Sequence, residues 1–318
     1  MNMRRSHSAS FRPARAPRHC ACIHLLNRAM WTVLLCFALS NAWAATTVTI
    51  LEGPAQVLRG TAWLKLAEGA RLQEGDIVSA PERTHVQLEL SGGSAFSFNG
   101  PATLYAIGLP AREGQPQSGA ELAFWGAFFK LATGAKEANI RVQTPLVLIV
   151  AQNATALVGR ADNNAFAIFV ENGSASIAER GARGRTGTPQ NAKAGQYWSA
   201  ADGKSLASAE RPPQAFIGAM PKPFLDPLPS RSNRFADARV DLPADHEVTY
   251  QEAKPWLVGP YRRAFVRRLQ PRLRDAAFRS GVEAEINLHP EWDRILHPEK
   301  YRPKDAPPVT VTPTGRSK

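Results

Sequence analysis

From Thr46 to about Ala200, apolar and polar residues alternate over short runs that stop at Gly, Asn or Asp. In "HVQLELSGG", Val86, Leu88 and Leu90 fall on one side and Gln87 and Glu89 on the other. That is the period-2 pattern of a half-buried strand. "TVTILEG", "AQVLRG", "AWLKLAEG", "SAFSFNG", "ATLYAIG", "IRVQTP" and "AFAIFVENG" repeat it, with turn residues at each break. Asn172-Gly173 reads as a hairpin turn, because both central residues of a type I′ turn take positive φ. "LELSGGSAFSF" and "IFVENGSASIA" share the order strand, glycine turn, Ser-Ala, strand, which predicts hairpins stacked or rolled on one another. One segment, "GAELAFWGAFFKLATGAK", fits either a helix or a buried strand. The fold class expected is mainly β: a β-roll, solenoid-like or stacked-hairpin N-terminal domain over residues 46–200, followed by a small α-helical C-terminal unit.

Past Ala200 the pattern changes. Residues 201–247 include "ERPPQAFIGAMPKPFLDPLPS", which is expected to form neither regular ladders nor a helix, because proline removes donors and restricts its neighbours. Its Phe216, Ile217, Met220, Phe224 and Leu225 are too apolar for a free linker, so an ordered strap across the β-domain is expected. Residues 248–300 read as a helical unit. Thr249 stands as N-cap with Glu252 at the reciprocal position of a capping box. Pro260 is placed to open a second helix and Pro271 a third. Trp256, Leu257, Tyr261, Phe265, Leu269, Leu273, Ala277 and Phe278 form its apolar stripe. Residues 301–318 read as a disordered tail.

The formal charge of +12 is unevenly spread: six of the 39 basic residues lie before residue 45, where there is no Asp or Glu, leaving 33 against 27. That basic stretch leads into "AMWTVLLCFAL" and "SNAWAA", the layout of an export signal over residues 1–44 with cleavage before Ala45. The rival is an uncleaved inner-membrane anchor, for which the apolar run is short. All three cysteines (Cys20, Cys22, Cys36) fall within it. The exported chain is therefore expected to have no disulfide, thiolate metal site or cysteine nucleophile.

The marked charge feature of the remainder is Arg262, Arg263, Arg267, Arg268, Arg272, Arg274 and Arg279, set against Asp275 alone. One reading is a docking patch for an anionic partner, either an envelope polymer, lipid headgroups or an acidic protein. The other is a solvated face whose arginine stems cover apolar surface. Nucleic acid is not an expected partner, since no stacking platform or groove-reading motif is present. Gly75-Asp76 in "LQEGDIVSA" reads as a turn, Gly75 supplying the backbone conformation and Asp76 bonding its own following backbone amides. His289, Glu291, Asp293 and His297 lie close in sequence, but a proline follows each histidine and helix-start chemistry explains them. No catalytic, cofactor or metal motif stands out. A hydrolase would need acids converging near Asp76 or Glu121.

The stretch from about Val48 to Ser199 resembles the FecR domain, a periplasmic β-rich module. It carries "ILEGPAQVLRG", then Leu66, Gly69, Leu72, Gly75, Asp76, Ile77 and Ser79 in the family's "L..G..L..GD.I.T" spacing. Gly93 and Ser94 follow, with Gly92 where the family has aspartate, then Val142, Thr144 and Pro145. Only Thr155 is kept of the next motif, before Val170, Gly173 and Ile177, and finally Ala192, Gly195 and Gln196. Most of these are turn positions, Gly93 and Gly195 included. The resemblance implies a non-catalytic periplasmic module for protein–protein interaction, scaffolding or sensing, without a cofactor. The family's best-known members sense a loaded outer-membrane receptor and control a sigma factor from a cytoplasmic domain, for which residues 1–28 are too few. The alternative is an envelope-polymer binder using the arginine face.

Overall fold

The computed structural model describes residues 46–90, 92–109, 119–134, 139–160, 166–181, 184–200 and 205–301. Residues 1–44, expected to be an export signal, and all but the first residue of the expected disordered tail (301–318) lie outside them. No helix among the described residues is long and apolar enough to cross a membrane.

Seventeen strands form one mixed sheet among the described residues. They are β1 Thr46–Glu52, β2 Gln56–Arg59, β3 Ala62–Lys65, β4 Arg71–Leu72, β5 Ile77–Ala80, β6 His85–Leu90, β7 Ser94–Asn99, β8 Ala102–Gly108, β9 Ala120–Trp125, β10 Phe128–Ala132, β11 Asn139–Gln143, β12 Val147–Arg160, β13 Phe166–Glu179, β14 Gln190–Lys193, β15 Tyr197–Ala200, β16 Ala207–Ala209 and β17 Ala244–Glu247. The α-helices are α1 Gln214–Ala219, α2 Tyr250–Val258, α3 Arg262–Leu269, α4 Ala276–Ala284 and α5 Asp293–Leu296; α1 corrects the expectation of no helix in the proline-rich stretch, since it fits in the proline-free run between Pro213 and Pro221.

The sheet branches at β12. Its C-terminal half pairs with β10, which continues through β7 and β6 to β1. Its N-terminal half pairs with β11, which runs parallel to β9 and continues through β8, β5, β2 and β3 to β17. The two arms share one apolar core. Phe124 of the β11 arm packs at 5.9, 5.6 and 4.9 Å from the rings of Phe96, Phe98 and Phe129 of the β10 arm. These spacings suit edge-to-face aromatic contact. Gly126 is where the chain crosses between arms, and "GAELAFWGAFFKLATGAK" is thus two strands that do not pair with each other. Of the forms expected, the solenoid is absent among the described residues, because the strands form one branched ladder rather than repeating coils.

The expectation of half-buried strands needs a second correction, since each arm is covered on its outer face too. Leu58, Ile77, Tyr105 and Ala123 alternate with inward residues and pack under Leu257, Phe265, Phe278 and Trp292 of the helical region. Phe128, Leu157, Ala167 and Tyr197 do the same under Phe216 and Phe224 of the proline-rich segment. All six residues of β6 are buried, polar ones included. Its Glu89 accepts from the Arg231 and Ser232 amides (2.6 and 3.1 Å) and the Ser230 hydroxyl. On the same face Lys130 donates to the carbonyls of Phe224 and Asp226 and pairs with Glu171. Two buried charges of opposite sign thus hold the segment by its backbone, satisfying the need of a buried charge for partners.

Asn172-Gly173 is not a hairpin turn but a bulge inside β13. Gly173 alone has positive φ (+70°), whereas Gly92 and Gly93, between β6 and β7, both do. The bulge faces Asn153 of β12, itself at positive φ, where the register slips on either side of Thr155. The capping box of Thr249 and Glu252 opens α2 as expected. The third helix starts later than Pro271: residues Gln270–Arg274 form a 3-10 turn, and Asp275 caps α4 through the Phe278 amide at 2.8 Å.

Candidate functional site

Gly75 (φ +89°) and Asp76 form a turn whose carboxylate is buried. Asp76 accepts from Arg59 Nε and Nη2 (3.1 and 2.6 Å) and from the preceding Gln73 amide (2.8 Å). The expectation that it bonds following amides is corrected here: the chain loops back, so the free amide lies upstream. Gly195 turns the chain between β14 and β15, its amide on the Val170 carbonyl. His289 is buried and faces the Val282 carbonyl at 3.2 Å, while Asp293 is held by Lys300 and Tyr301.

The arginines do not share one free face. Arg268 turns inward and donates to the carbonyls of Leu58 (2.7 Å), Gly60 (2.8 Å) and Gly75. Burial pushes its pKa down, with Asp76 and Tyr105 opposing. Arg272 donates to the Val248 carbonyl and lies over the Phe278 ring. Arg262 pairs with Glu291 at 2.5 Å and Arg279 with Glu283 at 2.9 Å. Arg263, Arg267 and Arg274 remain exposed, with no ion pair among the described residues.

The concave surface of most chemical interest lies between α2, the loop after it, and the outer face of the β11 arm. It is a groove of about 550 Å³ walled by Trp63, Trp125, Trp256, Tyr261, Pro255 and Pro260. Alternation puts Trp125 there: Leu122 and Phe124 enter the shared core, so Ala123 and Trp125 face outward. Trp256 and Tyr261 each meet Trp125 at 89°, with centroids 5.4 and 6.0 Å apart, giving the groove perpendicular aromatic walls. Tyr261 is fixed by its hydroxyl, which donates to Gln143 Oε1 at 2.9 Å. Burial raises its pKa, and Arg180 works against that rise.

Few polar groups of the groove are free. Glu252 is occupied by Thr249 and by His246, and Gln56 donates to Asp245. Ser79 and Thr103 contribute hydroxyls to the lining. The Trp63 indole N–H is buried and meets no acceptor among the described residues, with the residue 7% exposed. An unpaired buried donor is costly, and this one borders an open groove.

Beyond Trp125 and Pro260 the groove widens into a second hollow of about 820 Å³, lined by Arg180, Arg262 and Arg263. Arg180 donates to the Thr144 carbonyl. Aromatic and guanidinium surfaces are thus continuous. Sequence reasoning assigned Trp256 and Tyr261 only to an apolar stripe and did not single out Trp63 or Trp125. The strand alternation around Trp125 was the available signal.

No protein-family model and no curated protein sequence matches the chain. Among solved structures it is similar to two crystal structures of a Parabacteroides distasonis protein provisionally described as an anti-sigma factor, at 2.50 and 1.65 Å resolution. Both give a TM-score of 0.34, with 11% and 12% identity, over 42% of this chain and 59% of that one. The chain therefore spans about three fifths of the length of the structures it matches.

Proposed function

We propose that this chain is a non-catalytic, exported FecR-like module that docks a protein partner in the bacterial periplasm. The observation that carries this reading is the use made of its polar groups. The buried charges Asp76, Glu89 and Lys130, and the largely buried Arg268, are tied into the frame by backbone and ion-pair contacts. The aromatic groove is left open beside three guanidinium groups. Trp, Tyr and Arg are the residues that dominate protein–protein binding energy. The FecR-like motifs support the same class of function, and the N-terminal segment supports export.

The test is a pull-down of the tagged full chain from its own periplasm, washed at low and then high salt, with N-terminal sequencing of the recovered chain. The reading expects a mature chain starting at Ala45 and one protein retained at high salt. A second reading, envelope-polymer binding, draws on the exposure of Arg263, Arg267 and Arg274. If only polymer is held, and salt or neutralising those three arginines releases it, the docking reading is overturned.

A further inference from the structure

We infer that the groove centred on Trp125 takes an extended, proline-containing peptide segment carrying an acidic residue. This rests on the docking reading and deepens it by naming what the partner presents. Trp125 packs edge to face against Trp256 and Tyr261, so the groove side of these rings is one continuous aromatic surface on which proline rings can stack, and aromatic-lined grooves favour polyproline II segments because these arrive preformed.

Such a segment has no internal hydrogen bonds, so its carbonyls need donors. The Trp63 indole N–H is a buried donor without an acceptor at the groove wall. The adjoining hollow supplies the complementary charge. Arg263 is exposed and unpaired there, whereas Arg180 is engaged by the Thr144 carbonyl and the Tyr261 side chain and Arg262 already holds Glu291. Glu121, which lies near Tyr261, is held by Gln143 at 2.5 Å. An acidic side chain flanking the proline run would meet the free guanidinium of Arg263.

A sugar polymer would also stack on these rings, but each sugar unit needs several hydrogen bonds. Here Gln56 and Glu252 are already occupied, which leaves too few polar groups and favours the peptide.

The experiment is fluorescence anisotropy with the full chain and a labelled peptide of about eight prolines flanked by glutamates. Comparison probes are the same peptide flanked by lysines, a Gly-Ser peptide flanked by glutamates, and soluble glycan strands. The glutamate-flanked oligoproline is expected to bind best. Thr103→Trp, which fills the groove from a half-buried strand position, is expected to weaken it about tenfold or more. Arg263→Glu, at an exposed site where folding is not at stake, is expected to weaken the glutamate-flanked peptide about threefold or more and to improve the lysine-flanked one. Equal binding of the Gly-Ser peptide, binding of glycan alone, or indifference to both substitutions overturns the assignment. If Thr103→Trp still captures the periplasmic partner, the groove assignment falls and the docking reading stands. If no partner is captured but the peptide binds and Thr103→Trp abolishes it, the groove assignment stands and the docking reading falls.

Discussion

Arg268, in the last turn of the basic helix α3, donates through Nη1 to the carbonyl of Gly75, 193 residues earlier in the chain. The turn and the arginine cluster, which look unrelated in the sequence, are one structural joint. It fastens the helical region to the β11 arm, and with it the aromatic groove between them.

Replacing Arg268 by alanine is therefore expected to cost about 2–3 kcal/mol, since three backbone carbonyls lose a charged donor. Arg263→Ala, at an exposed site, is expected to stay within about 0.5 kcal/mol. Urea unfolding of the two variants checks this. Equal losses would mean that Arg268 is not a joint.

Asp76→Asn is expected to destabilise by about 2–3 kcal/mol, less than for a fully buried pair because Arg59 is partly exposed. Partner capture by the folded fraction should be unchanged, since the carboxylate faces Arg59 and Gln73. Loss of binding without loss of stability would give Asp76 a part in binding instead.

Gly173→Ala should be far worse than Gly195→Ala. Both sites have positive φ, but a methyl at 173 would lie 1.8 Å from the Asn153 carbonyl oxygen, whereas nothing lies within 4 Å at 195. The expected costs are more than about 3 kcal/mol and about 1–2 kcal/mol. Thermal unfolding of the two variants compares them directly.

Two pH effects of opposite sign are expected. Burial pushes the Glu89 carboxyl up, but the Arg231 amide, the Ser230 and Thr49 hydroxyls and the Ser232 amide together hold it below its ordinary value of 4.5. Its hold on the proline-rich segment is thus full above that value and fades as pH falls through the lowered folded pKa. Glu252 and then Asp245 raise His246 above 6.5. Its contribution is full below 6.5 and is lost as pH rises through the raised value. Hydrogen exchange of residues 224–232 checks the first, with Glu89→Gln flattening the acid response. An NMR titration of His246 checks the second, where an unshifted midpoint would contradict it.

Features set by local chemistry were legible in the sequence. Period-2 alternation located the strands, and Thr249 with Glu252 located the start of α2. Features decided by distant neighbours were not. Whether Asn172-Gly173 turns or bulges depends on Asn153 across the ladder, since the dipeptide allows both. The alternation of "HVQLEL" was right, but the fate of its polar side was set by a segment some 140 residues later that brings its backbone to Glu89. The seven arginines were read as one face because spacing along a helix does not say which side chain reaches the sheet. In the groove, the outward direction of Trp125 was readable from Leu122 and Phe124. That α2 would stop short of covering it was not.

The most direct test of the central claim is an NMR titration of the indole N–H resonances with the glutamate-flanked oligoproline, assigned by single Trp→Phe variants. Trp292 serves as internal control, since its N–H is also buried and unpaired but lies away from the groove. The account predicts that the Trp63, Trp125 and Trp256 signals shift together, Trp63 downfield as it gains an acceptor, while Trp292 stays in place. Unmoved groove signals at saturating peptide, or shifts of equal size at Trp292, would contradict it.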